Sequence, residues 1–221
     1  MPYAHRVRVI VGRQQRDLDE AEVRALASGR RRIVLDVGTG TGRAVLAEAD
    51  ADPEALVVGL DADAASLSEV SRRAARSSRK GGRPNALFVV AAAEELPGPF
   101  AGLVDEVSVR FPWGSLLRGA VGGEDPVAGG LAGCLRPGGE LRILTALQPR
   151  DGHDELLPLV EDPDRLAAHL TAVYAPLGIR LLECRLASAA EVATAESSWA
   201  RRLGVGRDRG AVLARLRRDP A

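Results

Sequence analysis

The first residues that could carry chemistry lie in a glycine-rich segment, DVGTGTG, at positions 36–42. The segment follows a short apolar run, RIVLDV, and precedes a stretch with helical spacing. A glycine-rich turn between a strand and a helix lets a ligand approach the backbone and exposes amide groups at the helix N-terminus. The segment therefore predicts a cofactor site. Its candidate residues are Asp36, Gly38, Thr39, Gly40 and Gly42.

A second acidic residue, Asp61, ends the next apolar run, ALVVGLD. An acid at this place can accept hydrogen bonds from both hydroxyls of a ribose. A nicotinamide-dependent dehydrogenase would carry G-x-G-x-x-G, whereas this chain has G-x-G-x-G, with Asp36 two residues before the first glycine. The shorter pattern resembles motif I of the class I methyltransferases, which use S-adenosylmethionine (SAM). This resemblance favours a methyltransferase over a dehydrogenase.

Two further cofactor residues are expected in AAAEELP, the segment after the third predicted strand. In class I methyltransferases this segment usually holds the adenine of the cofactor, and the resemblance makes Ala93 and Glu94 candidates here. A structural alternative stays open for Glu94 and Glu95, because acids at a helix N-terminus also stabilise the helix dipole.

The residues of the chain argue against several kinds of methyl acceptor. Enzymes that methylate the exocyclic nitrogen of adenine usually carry Asn/Asp-Pro-Pro-aromatic after the fourth strand, where this chain reads RFPWG. Methylation of cytosine C5 needs a thiolate, but Cys134 and Cys184 lie in no suitable turn and are expected to be core thiols. Ribose methylation commonly uses several lysines, and Lys80 is the only one. No carboxylate cluster or histidine spacing predicts a metal. His5, His153 and His169 are expected to have surface or capping roles.

A ring nitrogen such as adenine N1 remains, since its in-plane lone pair needs no general base. The enzyme must extrude the base and hold it flat, and stacking on an aromatic side chain stabilises a base by about 1–3 kcal/mol. Trp113 and Trp199, the two tryptophans of the chain, lie among Pro, Gly, Ser and Arg residues. They could clamp a base between them, although packing of either ring in the core stays open.

At this point the chain resembles a known family, the aminoglycoside-resistance 16S rRNA (adenine(1408)-N(1))-methyltransferases of the kanamycin–apramycin type. The segments that carry the resemblance are VLDVGTGTGR, VVGLDAD, KGGRPNALFV, AAAEELP, FPWGSLLRG and ESSWARRL. The family implies that Trp113 and Trp199 flank the flipped adenine and that Pro112 lies in a loop presenting backbone carbonyls to its amino group. It further implies that Ser198 contributes to the site and that Arg202 and Arg207 grip rRNA phosphates.

A basic segment, SRRAARSSRK, gives a second candidate RNA contact. The formal net charge of the chain is zero, which argues against a uniformly basic nucleic-acid binder but not against a local basic face. A solvated helix end is the alternative, and the corresponding segment of the family is richer in lysine. The candidate residues are Arg72, Arg73, Arg76, Arg79 and Lys80.

The elements that must position these residues alternate between strand and helix. Seven apolar runs predict strands at residues 32–37, 55–61, 86–92, 104–111, 140–147, 180–187 and 209–218. Predicted helices cover residues 42–51, 63–78, 126–135 and 164–178. We expect one α/β domain over residues 1–221, a class I (Rossmann-like) methyltransferase with a doubly wound, seven-stranded, mostly parallel sheet and an N-terminal hairpin. No apolar run is long enough to span a membrane, and the N-terminus does not resemble a signal peptide.

The combined prediction is SAM-dependent methylation of adenine 1408 at N1 in the 16S rRNA of the 30S subunit, which would confer aminoglycoside resistance. The enzyme is expected to be a cytoplasmic monomer without a metal. Two alternatives remain. One is a small-molecule methyltransferase of a biosynthetic pathway, and the other is a relative that binds SAM and rRNA but methylates weakly.

Overall fold

The computed structural model describes residues 6–96, 98–195 and 210–220. Nine strands form one sheet in the order β2-β1-β5-β4-β3-β6-β7-β9-β8. The strands are β1 Val7–Val11, β2 Gln14–Leu18, β3 Ile33–Val37, β4 Leu56–Asp61, β5 Ala86–Val90, β6 Val104–Arg110, β7 Leu135–Thr145, β8 Ile179–Leu186 and β9 Val212–Arg218. The helices are α1 Glu20–Ala27, α2 Arg43–Ala51, α3 Ala64–Ala74, α4 Gly114–Ala120, α5 Val127–Cys134, α6 Leu157–Val160, α7 Pro163–Tyr174 and α8 Ala189–Thr194.

The centre of the sheet is parallel, because β5, β4, β3, β6 and β7 pair with their neighbours in the same direction. Near-continuous apolar sequence explains this placement, since strands of a parallel sheet are buried on both faces. All five residues of β3 are buried. The carboxyl ends of β3, β4 and β5 therefore lie side by side at one edge, where α/β folds bind ligands.

The predicted α/β class is confirmed, but the predicted count of seven strands is wrong. The N-terminal hairpin does not stand apart from the sheet: β1 pairs antiparallel with β5 and extends it to nine strands. At the other side β9 pairs antiparallel with both β7 and β8. The sheet is thus mixed, with a parallel centre and antiparallel flanks.

Helices cover both faces of the sheet. Helices α2 and α3 pack on one face around Val45, Val70 and Phe88. The other face carries the larger core, into which α1, α4, α5 and α7 insert residues such as Leu117, Leu131 and Leu170. Within the described ranges, no helix is long and apolar enough to cross a membrane.

Two predicted boundaries differ from the structure. The helix expected to end at residue 78 stops at Ala74, because the chain turns back there and the amide of Arg83 donates to the carbonyl of Ala74. The strand expected to begin at residue 140 begins at Leu135, so residues 136–139 lie inside β7. Its pairing with β6 shifts from Val104–Leu135 to Glu106–Glu140, so the extra residues form a bulge.

On the face of the sheet that α2 covers, the side chains change from apolar to charged across strands β6, β7, β9 and β8. Instead of apolar residues, these strands carry alternating acids and arginines whose neighbouring N–O distances are 2.6–3.7 Å. We call this row the ion-pair ladder. Its members are Arg32, Glu48, Glu106, Arg142, Glu140, Arg215, Glu183, Arg185 and Glu191. Its charges are neutralised locally, within the fold.

Candidate functional site

A cavity of about 560 Å³ opens at the carboxyl ends of the central strands. Four of the eight predicted cofactor residues line it, together with three residues of the FPWG loop, Phe111 to Trp113. The lining includes Gly38, Asp61, Ala93, Glu94, Pro112 and Trp113. The volume lies within the range of pockets that hold ligands of drug size. One cavity thus joins the glycine-rich turn to the loop that contains the first tryptophan.

Asp61 is held in a fixed orientation by two backbone amides. Its Oδ2 accepts a hydrogen bond from the amide of Gly40 at 2.7 Å, and its Oδ1 accepts one from the amide of Asp63 at 2.9 Å. Each carboxylate oxygen retains a further lone pair, since an ionised carboxylate offers about four acceptor sites. The side chain lines the cavity and can accept hydrogen bonds from a vicinal diol.

Asp36 does not line the cavity but lies beneath it, with 3% of its surface exposed. Nη1 of Arg110 donates to its Oδ1 at 2.9 Å, and Nη2 of the same guanidinium contacts Glu48 at 3.3 Å. Burial raises the pKa of Asp36, and the positive charge of Arg110 opposes that rise. The pair therefore supports the glycine-rich turn from below.

The remaining residues of the turn are structural neighbours of the cavity. Gly40 uses its amide to hold Asp61. Gly42 has a φ of +64°, and a Cβ there would come within 2.8 Å of Phe88 and Val70. The missing side chain of Gly42 thus lets α2 approach the sheet. Thr39 packs toward Gly59 of β4, where a Cβ would meet its methyl group at 3.0 Å.

Glu94 faces the cavity from the turn after β5. The hydroxyl of Ser115 hydrogen-bonds to its carboxylate and, with a backbone hydrogen bond, lowers the pKa of Glu94. Glu95 instead accepts from the amide of Ala92 at 3.2 Å, which closes a short turn. The capping role considered for both acids therefore belongs to Glu95.

The FPWG loop between β6 and α4 directs an aromatic ring outward. Phe111 has a φ of +50°, an unusual conformation for a residue other than glycine, and its own ring is buried. Its amide donates to the carbonyl of Leu144 at 2.7 Å, which anchors the loop to the sheet. Trp113 follows with 46% of its surface exposed. This ring is not packed in the core.

His153 is a residue of this site that the sequence did not reveal. Its ring lies edge-to-face against Trp113, with centroids 5.3 Å apart and planes at 83°. The surface or capping role expected for His153 did not include this ring contact. It belongs to residues 148–166, a stretch with no recognisable motif, and no local signal in the sequence pairs it with a tryptophan 40 positions earlier.

The predicted basic residues lie at the opposite edge of the sheet from the cavity. Helix α3 starts beside the cavity after Asp61 and runs back along the sheet for 11 residues, about 16 Å. Its last turn carries Arg72 and Arg73, and Arg76, Arg79 and Lys80 follow; all five are exposed. Arg83 pairs with Asp50 at 2.7 Å, whereas none of the five forms an ion pair with any residue the structure describes.

Four predicted residues, Ser198, Trp199, Arg202 and Arg207, lie outside the described residues, as does His5. The two cysteines have no catalytic environment. Cys134 is buried, and burial raises the pKa of its thiol to about 12. Cys184 is partly buried on β8, and burial together with Asp164 raises the pKa of its thiol to about 11. Neither thiol is poised as a thiolate.

Comparisons with known proteins agree on one family. Residues 8–217 match the family model described as NpmA, 16S rRNA (adenine(1408)-N(1))-methyltransferase. A relative of that name from Streptoalloteichus hindustanus is 41% identical over 212 residues, covering 94% of this chain and 97% of the relative.

Solved structures give the same result. A variant of the 16S rRNA (adenine(1408)-N(1))-methyltransferase from Catenulisporales acidiphilia, solved with its cosubstrate SAM, superposes with a TM-score of 0.82 at 36% identity and 97% coverage of both chains. The aminoglycoside resistance methyltransferase NpmB1 superposes with a TM-score of 0.79 at 34% identity, covering 96% of this chain and 99% of that one.

Proposed function

The chain belongs to the 16S rRNA (adenine(1408)-N(1))-methyltransferase family, and we propose that it methylates N1 of adenine 1408 in 16S rRNA with SAM as methyl donor. The observation that carries the proposal is the shared cavity: Asp61 and Gly38 line the same space as Trp113. A cofactor bound at the strand ends and a base stacked on Trp113 would therefore meet in one cavity.

The residues of the cavity suit SAM. When bound, SAM supplies a methyl group on a positively charged sulfur. Asp61 would accept hydrogen bonds from the ribose hydroxyls with the oxygen lone pairs that its two amide contacts leave available. Ala93 and Glu94, which line the cavity, would hold the adenine, and Gly38 would let the ligand approach the backbone. Asp36, Thr39, Gly40 and Gly42 shape the turn that holds these groups.

The enzyme acts on the target adenine by positioning it through stacking, and the reaction requires no general base. The side chain of Trp113 is about half exposed, and the edge-to-face contact with His153 restrains the orientation of its ring. Aromatic pairs of this geometry contribute about 0.5–1.5 kcal/mol. By family resemblance, Pro112 belongs to the loop that positions the adenine amino group, and Trp199 with Ser198 completes the other side of the base. The N1 lone pair needs no base to attack a methyl group, so positioning is the main demand.

The substrate is the 30S subunit rather than a short oligonucleotide. The basic end of α3 lies about 16 Å along the helix from the cavity. A substrate that contacts both would present phosphates away from the target base, which suits recognition of a folded RNA by shape and phosphate contacts. By family resemblance, Arg202 and Arg207 would add further phosphate contacts. The reaction takes place where ribosomes assemble, in the cytoplasm, and the enzyme acts as a monomer.

The modification changes how drugs recognise the decoding site. A methyl group on N1 gives the adenine a positive charge and blocks its Watson–Crick edge. An aminoglycoside that hydrogen-bonds to that edge loses its contact and meets a like charge. The enzyme therefore confers aminoglycoside resistance.

The test is methylation of purified 30S subunits with labelled SAM, followed by primer extension on 16S rRNA. We expect one new stop at adenine 1408. Trp113→Ala should remove most of the incorporation with little change in thermal stability, because the ring is half exposed, and Trp113→Phe should retain part of it by stacking. Equal activity of Trp113→Ala and wild type would contradict the base-stacking role.

The same experiment separates the alternatives. A small-molecule methyltransferase would bind SAM but neither pellet with 30S subunits nor label them. A weakly active relative would pellet with them and label them poorly. For a protein that does pellet with the subunits, the salt dependence of pelleting reports its phosphate contacts.

A further inference from the structure

The turn of the N-terminal hairpin is fastened to the basic end of α3. The buried hydroxyl of Ser71 accepts a hydrogen bond from the amide of Gly12 at 2.9 Å and donates one to the carbonyl of Ile10 at 2.7 Å. A Cβ on Gly12 would lie 3.5 Å from that of Ala75, an ordinary packing distance. The hairpin turn therefore sits directly on the last turn of the helix.

Ser71 acts differently from most serines inside helices. Such hydroxyls commonly bond back to a carbonyl of their own helix. Here the hydroxyl both donates to and accepts from the N-terminal hairpin, and the serine is almost fully buried. Its removal would leave an amide and a carbonyl of the hairpin without these partners. Ser71 thus links two elements that are distant in sequence.

The hydrogen bonds of Ser71 place another cation beside the basic residues at the end of α3. Arg13 follows Gly12 in the turn and is exposed, while Arg72 and Arg76 adjoin Ser71 and Ala75, the two residues that meet the turn. No ion pair joins Arg13 to a carboxylate among the residues that the structure describes. Glu69, one helical turn before Arg73, is also exposed, and no ion pair joins these two residues in the described structure. The fold therefore gathers unpaired positive charge from two elements.

This arrangement contrasts with the rest of the chain. On the ion-pair ladder, arginines and acids alternate and neutralise one another. Even on the same hairpin, Arg8 pairs with Asp17 at 3.4 Å. Like charges that are brought together repel one another and destabilise a compact state. Their gathering is favourable when a polyanion binds across them and releases its counterions.

We propose that the hairpin turn forms one rRNA-binding surface with the end of α3, that Arg13 contacts a phosphate there, and that Ser71 positions it. The inference rests on the proposed function, because it takes the phosphate backbone of 16S rRNA as the partner. It adds a separate chain element to the RNA-binding surface and gives the N-terminal hairpin a role beyond extending the sheet.

The hairpin supplies a matched control. Arg16 is also exposed, but it pairs across from Val9, whose side chain is buried in the core on the other face of the sheet from α3. Arg13→Gln and Arg16→Gln thus remove the same charge from the same hairpin on opposite sides. Neither change removes an ion pair seen in the described structure, so both proteins should fold normally.

The experiment measures binding of fluorescently labelled full-length protein to purified 30S subunits across a salt series. For Arg13→Gln we expect roughly 5- to 10-fold weaker binding near 0.1 M salt and a slope of log K against log salt that is smaller by about one. Arg16→Gln should match wild type in both quantities, and SAM affinity should be unchanged in both variants. Ser71→Ala should lower 30S affinity as Arg13→Gln does, without further loss when the two are combined.

The outcomes separate the two proposals. An unchanged slope and affinity for Arg13→Gln, alongside a loss for Arg72→Gln, would overturn the role of the hairpin alone. An equal loss for Arg16→Gln would also overturn it, since the effect would then reflect net charge. If wild type itself showed no salt-dependent binding to 30S subunits, the rRNA substrate and the hairpin surface would both be wrong.

Discussion

Replacing Asp61 by asparagine changes the charge of the side chain that we propose binds the ribose, and it leaves the size of that side chain unchanged. In the structure both carboxylate oxygens accept a backbone amide, from Gly40 and Asp63. An asparagine side chain has one oxygen and one NH₂ group. One of the two backbone amides must therefore face a donor, and one ribose hydroxyl loses its acceptor.

The size of the effect follows from these contacts. A hydrogen bond to a charged group contributes about 1.5–3 kcal/mol, and the second ribose contact becomes a weaker neutral bond. Together the loss is about 2–4 kcal/mol, or a roughly 30- to 700-fold weaker affinity for SAM. Isothermal titration calorimetry with SAM measures this directly, and circular dichroism verifies that the variant is folded.

Asp63→Asn is the matched control, two residues further along. The side chain of Asp63 caps α3 by accepting from the amide of Ala65 at 2.9 Å, and asparagine caps helices about as well as aspartate. This variant should bind SAM like wild type. If Asp61→Asn bound SAM within threefold of wild type, the assignment of the ribose to Asp61 would be refuted.

Three further predictions concern the support of the site and the stability of the sheet. Arg110→Met should lower the free energy of unfolding by about 3–5 kcal/mol in urea titrations, because it leaves the buried carboxylate of Asp36 without its counter-charge. The double variant Asp36→Asn/Arg110→Met should be more stable than Arg110→Met alone, and equal or lower stability of the double variant would refute the explanation. Gly38→Ala should weaken SAM binding, because Gly38 has a φ of +74° and the new Cβ would lie 2.4 Å from a leucine side chain of the cavity. Gly29 has a similar φ of +76° but lies in open space, so Gly29→Ala should reduce stability only. Burial tends to raise the pKa of Glu140, but two arginines of β9 outweigh burial and hold that pKa below its ordinary 4.5. The stabilisation is therefore present above pH 4.5 and is lost as pH falls through the lowered pKa. Glu140→Gln should reduce the loss of unfolding free energy at acidic pH, and an unchanged loss would contradict this.

Local pattern was sufficient to predict the central part of the fold. Each parallel strand is a short apolar run bounded by turn residues, and β3, β4 and β5 lie within two residues of their predicted bounds. The glycine spacing located the turn beside the cavity because those backbone conformations depend on local sequence. Asp61 could be placed next to that turn for the same reason, since it stands at the end of a strand.

The missed features depend on contacts between distant segments. The ring contact of His153 with Trp113 joins two loops, and no periodicity reports such a pair. The strand count was wrong because the sequence shows that a hairpin forms but not which strand it joins; β1 pairs with β5, about 80 residues away. The early end of α3 arises in the same way, from the return of the chain at Arg83.

The ion-pair ladder has a consequence for how the molecule meets its substrate. The ladder neutralises its own charges on one half of the sheet, whereas the cations at the end of α3 on the other half form no ion pair in the described structure, so the charge of the described chain is unevenly distributed. A protein with a formal net charge of zero then behaves as an electric dipole. In the field of a ribosomal surface, such a particle is turned before contact, with its cationic end leading. Orientation on approach raises the rate of productive encounters at low salt, and this gain fades once the Debye length falls below about 10 Å.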